Sequence, residues 1–182
     1  MGKKVVRVVD ERFLGLSEVR RLLKRSFPLE ERVAFPLLLL RSKAKDFEIL
    51  AYYDGGTLCG VSVTCQNSTV CALMYLAVSE KLRDEGVGSA ILRYLENRHR
   101  GKTIIADVEV PVANASNIEQ RIKRSRFYEK NGYTSSGYGY TFGRTDFYIV
   151  SKNAELNEQL IRDIYNQMFV GLFCPDIHEI GR

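Results

Sequence analysis

The residues with the clearest chemistry lie where an apolar run meets a helical pattern. The sequence there is Arg83-Asp84-Glu85-Gly86-Val87-Gly88-Ser89, which has the spacing Arg-x-x-Gly-x-Gly. The first amides of a helix have no partner within the helix and carry the positive end of its dipole, so they bind phosphate well. Gly86 and Gly88 would let an anion approach the backbone closely. The spacing predicts a phosphate or pyrophosphate site, with a plain glycine-rich turn as the alternative.

Two common phosphate-binding motifs do not match this junction. A dinucleotide fingerprint requires a third glycine for close packing of helix on strand, and Ile91 stands there instead. A Walker loop requires Gly-Lys-Ser/Thr, which the junction lacks. A phosphate bound at this junction would therefore be bound by neither of these two motifs.

Acidic residues form a second group with chemical potential. In residues 103–110 alternate side chains point to opposite faces of a predicted strand, and one face carries Ile105, Asp107 and Glu109. On an edge strand these acids would simply face solvent. On an interior strand they would form an acidic cleft. The sequence leaves both interpretations open.

The elements that position these groups follow from periodicity and turn residues. Residues 46–78 predict a β-meander with a turn at Asp54-Gly55-Gly56. Its third strand, residues 70–78, is apolar on both faces and therefore central. A helix begins at Gly86, and another, capped by Asn114, Ser116 or Asn117, ends before Gly132. The other predicted elements are a strand at 4–10, a helix capped by Ser17, a helical or irregular passage at 29–45, a hairpin at 133–151 and an amphipathic helix from Leu160 to Phe173.

The length and composition favour one soluble α/β domain. The chain has 182 residues, of which 45% are hydrophobic and 27% charged. We expect a single domain over residues 1–182, with a core at about 4–152 and a helical extension at 153–182. Neither a membrane span nor a signal-peptide core is present, so we expect a cytoplasmic protein with no membrane partner.

The net charge favours anionic ligands. The formal charge is +5, and Arg20, Arg21, Lys24 and Arg25 lie on one predicted helix. These four could contact an anion, although we expect them to form a solvated helix face.

The cysteines and histidines do not favour metal binding or covalent catalysis. Cys59, Cys65, Cys71 and Cys174 lack metal-site spacing, so we expect buried free thiols. The histidines are His99 and His178, and His99 is expected to end a helix. We predict no metal, no serine–histidine triad and no cysteine nucleophile.

The apolar strand, Arg83-x-x-Gly86-x-Gly88 and the later run Arg126-Phe127-Tyr128-Glu129-Lys130-Asn131-Gly132-Tyr133 together resemble the GNAT superfamily of acyl-CoA-dependent N-acetyltransferases. The resemblance covers about residues 4–152. It implies a mixed, mostly antiparallel central sheet flanked by helices, with the C-terminal amphipathic helix added outside the core. It also implies acetyl-CoA as a co-substrate and transfer of its acetyl group to a primary amine.

The resemblance assigns the CoA-binding residues. In this family the glycine loop wraps the CoA pyrophosphate, the end of the preceding strand pairs with the pantetheine arm, and an asparagine after the next strand often joins them. A nearby arginine is a candidate for a CoA phosphate. The implied residues are Leu76, Ala77, Val78, Arg83, Asp84, Glu85, Gly86, Val87, Gly88, Ser89, Asn114, Asn117 and Arg121.

The resemblance also places Tyr128 where family members protonate the departing CoA thiolate, with a structural tyrosine as the alternative. The amine must lose a proton before it attacks, and Glu109 is the first candidate base. Asp107 and, more remotely, Glu31 are candidates for binding the substrate amine. Acids in a cleft favour a cationic acceptor.

Two other functions fit parts of the sequence. The same fold could serve as a non-catalytic acyl-CoA-binding or regulatory module. Nucleic-acid binding, suggested by the basic charge, is the least favoured. The amine acceptor is a small molecule or a peptide. For the C-terminal helix we expect packing on the domain, with a homodimer interface as the second interpretation.

Overall fold

A computed structural model describes residues 3–7, 15–113, 115, 117–152, 156–171 and 174–180. The chain divides into two compact units. The first comprises Met1–Cys65 and Leu73–Arg98, and the second comprises Gln66–Ala72 and His99–Arg182. The single domain predicted over residues 1–182 stays a prediction.

The strands of the first unit confirm the predicted meander. They lie in the order β1 (Lys3–Arg7), β2 (Phe47–Asp54), β3 (Thr57–Gln66) and β4 (Val70–Val78). The last residue of β3 and the first three residues of β4 belong to the second unit. The pairs β1–β2 and β2–β3 are antiparallel. Gly55 and Gly56 form the turn after β2 with φ of 55° and 86°, a left-handed conformation that favours glycine.

The helices of the first unit are α1 (Leu16–Ser26), α2 (Phe35–Arg41) and α3 (Val87–Arg98), and a 3-10 turn at Leu29–Glu31 precedes α2. Helix α1 buries Val19 and Leu23, as its pattern predicts. The predicted cap at Ser17 is wrong. The helix begins earlier, its N-cap is Gly15 without a side-chain cap, and Ser17 therefore lies inside the first turn.

The strands of the second unit are β5 (Thr103–Glu109), β6 (Thr134–Phe142), β7 (Thr145–Ser151) and β8 (His178–Glu179), in the spatial order β5-β7-β6-β8. Strand β5 lies between antiparallel β7 and the start of β4, and the Thr103 amide donates to the Thr69 carbonyl at 2.8 Å. Strand β5 is therefore an interior strand, so solvent exposure at a sheet edge does not explain its acids.

The helices of the second unit are α4 (Ile118–Lys130) and α5 (Glu158–Met168). Gly132 follows α4 with φ of 82°, the predicted left-handed stop. Helix α5 buries Ile161 and Ile164 completely, which confirms packing on the same chain. A homodimer through α5 stays a prediction. The predicted continuation of this helix through Phe169 is wrong, because the helix ends at Met168, Phe169 is its C-cap and Val170 has φ of 55°. The predicted helix residues 172 and 173 lie outside the described residues.

The described elements confirm the predicted α/β class, a mostly antiparallel sheet flanked by helices with an added C-terminal helix. None of the helices in the described ranges has the length and apolar character that crossing a membrane requires.

Candidate active site

The predicted anion-binding junction forms a tight turn at the start of α3. After β4 comes a 3-10 turn at Glu80–Leu82, then residues 83–86, and the helix starts at Val87. The first helical hydrogen bond runs from the Ala90 amide to the Gly86 carbonyl at 3.0 Å. The amides of Val87, Gly88 and Ser89 therefore precede the helical ladder and are oriented for an external acceptor.

Two residues of this turn have left-handed backbone conformations. Gly86 has φ of 79°, and a Cβ added there would meet no atom within 4 Å, so the backbone angle rather than lack of space favours glycine. Asp84 has φ of 64°, which is uncommon for a non-glycine residue but tolerated by aspartate. The side chains of Arg83, Asp84 and Glu85 are exposed. Two acids follow the one cation, so an anion at this turn would depend on the backbone amides.

The predicted pantetheine contacts are the last three residues of β4. Leu76 and Val78 are half-buried, whereas Ala77 is buried. A Cβ added at Gly60 would lie 2.9 Å from the Ala77 carbonyl oxygen and 2.6 Å from Cδ1 of Ile91, so β3 approaches this end of β4 too closely for any side chain at residue 60.

In the second unit Glu109 is the centre of a buried ion-pair cluster. Its side chain is 2% exposed, and Nη1 of Arg124 donates to its Oε2. Nε of Arg121 and Nδ2 of Asn117 each lie 3.3 Å from its Oε1. The predicted acidic cleft is therefore neutralised at Glu109, because cations and an amide from α4 and its N-cap surround the carboxylate.

The side chains of Asn117 and Arg121 also form a hydrogen bond with each other. Nε of Arg121 donates to Oδ1 of Asn117 at 2.8 Å, and its Nη1 donates to the Val110 carbonyl at 2.9 Å. Asn117 occupies the N-cap of α4, but its side chain makes no capping hydrogen bond. Asn114, the other predicted asparagine, lies outside the described residues.

Asp107 is held by two tyrosines. Tyr140 donates its hydroxyl to Oδ2 at 2.9 Å, and Tyr165 of α5 donates to Oδ1. Burial raises the pKa of Asp107, and the two hydrogen bonds oppose that shift. Burial likewise raises the pKa of Tyr165 well above its ordinary value, and the charge of Asp107 adds to the increase. Each carboxylate oxygen keeps a second lone pair that could accept a proton.

Tyr128 is buried near these acids. Its ring packs at 5.2 Å from Phe127 and 5.6 Å from Tyr133, measured between centroids. Burial raises the pKa of Tyr128, the positive charge of Arg124 opposes the shift, and the charge of Asp107 adds to it. The side chain is 6% exposed, and a protonated phenol hydroxyl can donate one hydrogen bond.

Glu31 belongs to the first unit. Its carbonyl accepts a hydrogen bond from the Tyr75 hydroxyl at 2.7 Å, and the Val33 amide donates to the same hydroxyl at 2.9 Å. Tyr75 thereby fixes the chain between α1 and α2 on β4.

The histidines and cysteines have structural surroundings. His99 is buried just after α3, with Nδ1 3.0 Å from Oε1 of Gln66, which confirms it as a helix-end residue. All four cysteines are free, and Cys174 is half-buried whereas the other three are buried. No cluster of three metal-binding side chains occurs within the described ranges.

The structure brings together Glu109, Asn117 and Arg121, which the sequence proposed separately. It adds Arg124, Tyr140 and Tyr165, which the sequence analysis did not select. A signal was present for Tyr165, because a tyrosine in an apolar helix stripe needs a partner for its hydroxyl. The sequence alone did not indicate that Asp107 is this partner.

Comparison with known families agrees with the strand, turn and helix order. A model of the acetyltransferase (GNAT) domain matches residues 45–135, half of the chain. The chain belongs to the GNAT acetyltransferase family. The matched range includes the glycine turn, Asp107, Glu109 and Tyr128, but not α5.

Solved structures share the fold of this GNAT chain at low sequence identity. A protein described as a GNAT-family acetyltransferase from Bacteroides thetaiotaomicron has a TM-score of 0.72 and 20% identity, covering 95% of this chain and all of its own. An aminoglycoside 6'-N-acetyltransferase complexed with coenzyme A has a TM-score of 0.65 and 19% identity, and the match covers 84% of this chain and 96% of the other chain. The ribosomal-protein-S18-alanine N-acetyltransferase of Escherichia coli has a TM-score of 0.63 and 15% identity, and the match covers 87% of this chain and 97% of the other chain. No curated protein sequence matches significantly.

We expect Glu109→Gln to lower the free energy of unfolding by about 3 kcal/mol, because two guanidinium groups would lose their carboxylate. This is the low end for a buried pair, since Arg124 stays 28% exposed. Urea denaturation at neutral pH measures the change. As a control, Glu119→Gln alters an exposed residue of α4 and should change stability by less than about 0.5 kcal/mol. Equal effects of both substitutions would contradict a structural role for the Glu109 cluster.

Proposed function

We propose that this protein transfers the acetyl group of acetyl-CoA directly to a primary amine. The amine nitrogen forms a bond to the thioester carbonyl carbon, the carbon–sulfur bond breaks, and CoA leaves with the electron pair. The observation that carries this proposal is the turn before α3, where three helix-initial amides precede the first helical hydrogen bond in a chain of the GNAT family.

Within the first unit, the CoA pyrophosphate is bound by residues 83–89 and the pantetheine arm by residues 76–78. The relative that was crystallised with coenzyme A supports this choice of donor. In the second unit, Asn114, Asn117 and Arg121 remain proposed CoA contacts. For Arg121 this leaves Nη2 for a phosphate oxygen, because Nε and Nη1 already donate to Asn117 and Val110.

Tyr128 acts as the donor to the departing sulfur. Its hydroxyl stays protonated at neutral pH because burial raises its pKa. Arg124 adds positive charge nearby, which favours any negative charge that develops close to the phenol.

A carboxylate of β5 accepts the proton from the amine, and the geometry favours Asp107 over Glu109. Protonating Glu109 would break its ion pairs with Arg124 and Arg121. Asp107 has only neutral hydroxyl partners, and its raised pKa makes it a stronger base than an ordinary aspartate. Glu109 then serves to position α4.

Thiol release from acetyl-CoA tests the reaction. The purified protein is incubated with acetyl-CoA and a panel of small amines, an amino acid, a polyamine, an aminoglycoside and peptides with free N-termini. We expect release with at least one amine and none with the matching alcohols. A blank without acceptor corrects for the half-buried Cys174 thiol. If CoA binds but no amine stimulates release, the protein is a binding module instead.

We expect Tyr128→Phe to lower kcat about 100-fold, because the substitution keeps the packed ring and removes the donor. The Kd for CoA, measured by calorimetry, should change less than about twofold if the hydroxyl acts only on the developing charge. Tyr138→Phe, a half-buried position on β6, is the matched control and should retain full turnover. Unchanged turnover in Tyr128→Phe would remove Tyr128 from the mechanism.

Asp107→Asn tests the base through the pH profile. A base must be ionised to accept a proton, so wild-type kcat should fall on the acid side with a midpoint above the ordinary aspartate pKa of about 3.9. Asparagine can still bond both tyrosines, yet it cannot accept the proton. We expect kcat to fall about 100-fold and the acid limb to disappear. An unchanged acid limb in the variant would assign the base to another group.

A further inference from the structure

The first unit contains a pocket at the α1 and α2 side of its sheet, with a volume of about 340 Å³. This size lies within the usual range for small-molecule sites. All of its lining residues belong to one compact unit. Its floor includes Tyr75, whose hydroxyl is already bonded to the backbone at Glu31 and Val33 and so presents its ring to the pocket.

Most of the pocket wall is apolar. The aromatic rings of Phe27 and Tyr75 pack with their centroids 4.7 Å apart. Leu29, a further lining residue in the 3-10 turn, is 77% exposed. The remaining apolar lining residues are Leu23, Val33, Ala34, Phe35, Pro36 and Leu38. A ligand with an apolar body would cover this surface.

The charged side chains that the structure describes in the pocket lining are all cationic. Arg20 and Lys24 project one turn apart from α1, and Arg32 follows the 3-10 turn. Among the side chains that the structure describes, the lining set contains no aspartate or glutamate. Among the described residues, Arg20 and Lys24 form no ion pair, whereas Nε of Arg32 donates to the Pro28 carbonyl at 3.2 Å. Two cations at the mouth are thus available for an anion.

The four cations of α1, which the sequence analysis expected to form one solvated face, differ in their position relative to the pocket. Of the four cations on α1, Arg20 and Lys24 line the pocket, while Arg21 and Arg25 do not. All four cations are exposed, and only Arg20 and Lys24 also border the pocket.

We infer that this pocket binds a small molecule with an apolar body and a carboxylate group. The apolar body contacts the rings and Leu29, and the carboxylate is bound by Arg20 and Lys24. The cations of the described lining favour an anionic ligand over a cationic amine. This inference concerns binding and does not depend on acetyl transfer.

Calorimetric titration with three probes of equal chain length tests the inference. Octanoate, octanamide and octylamine are compared below their aggregation concentrations at neutral pH, because they share the apolar body and differ in head-group charge. We expect octanoate to bind about tenfold more tightly than octanamide, and octylamine to bind no better than octanamide. Octylamine binding as tightly as octanoate, or no binding by any probe, would overturn the inference.

Paired variants locate the two halves of the ligand. Arg20→Ala/Lys24→Ala should weaken octanoate binding about tenfold, whereas Arg21→Ala/Arg25→Ala removes the same charge from the same helix and should leave it within about twofold. Equal weakening by both pairs would indicate general electrostatic attraction and contradict the site.

A second pair of matched variants tests the contact with the apolar body of the ligand. Leu29→Gln should weaken octanoate and octanamide alike, by about threefold or more, whereas Leu40→Gln should affect neither. Leu40 is 62% exposed and does not line the pocket, so both substitutions replace exposed leucines with little risk to folding. No change in Leu29→Gln would contradict the apolar contact.

Discussion

A carboxylate in the interior of a sheet must be compensated, and the arrangement of the second unit depends on how Glu109 meets that requirement. An isolated buried charge would be severely unfavourable, so Arg124 and Arg121 must lie on the α4 face that meets β5. Their placement sets the rotation of α4. That rotation in turn places Tyr128, one helical turn beyond Arg124, in the buried cluster with Tyr133.

Asp107 imposes the same requirement two residues earlier, and neutral groups meet it. Its partners Tyr140 and Tyr165 come from β6 and α5, and α5 lies outside the range that matches the family model. The C-terminal helix is therefore held by a polar contact as well as by its apolar face. Two acids on one strand acquire different properties because guanidinium groups neutralise one, while burial beside phenols raises the pKa of the other.

Local patterns predicted most of the fold. The Gly55-Gly56 turn, the apolar β4 and the stop at Gly132 each follow from a few neighbouring residues, and each was found. Side-chain partners could not be predicted in this way. Glu109 and Arg124 are 15 residues apart, and Asp107 and Tyr165 are 58 apart, so helix packing rather than sequence spacing decides these contacts. The cations of α1 show the same limit of sequence-based prediction. Arg20 lines the pocket and its neighbour Arg21 does not, and only the fold reveals this difference.

The raised pKa of Tyr128 constrains how it can help the sulfur leave. An ordinary thiol has a pKa of about 8.5, which is below that of a free phenol at about 10. Burial widens this gap, so full transfer of the phenolic proton to a thiolate would be unfavourable. A hydrogen bond from the hydroxyl still stabilises negative charge on sulfur, and in a buried setting it does so strongly. In the proposed reaction Tyr128 would therefore act as a fixed donor that keeps its proton, and its contribution should vary little with pH below the thiol pKa.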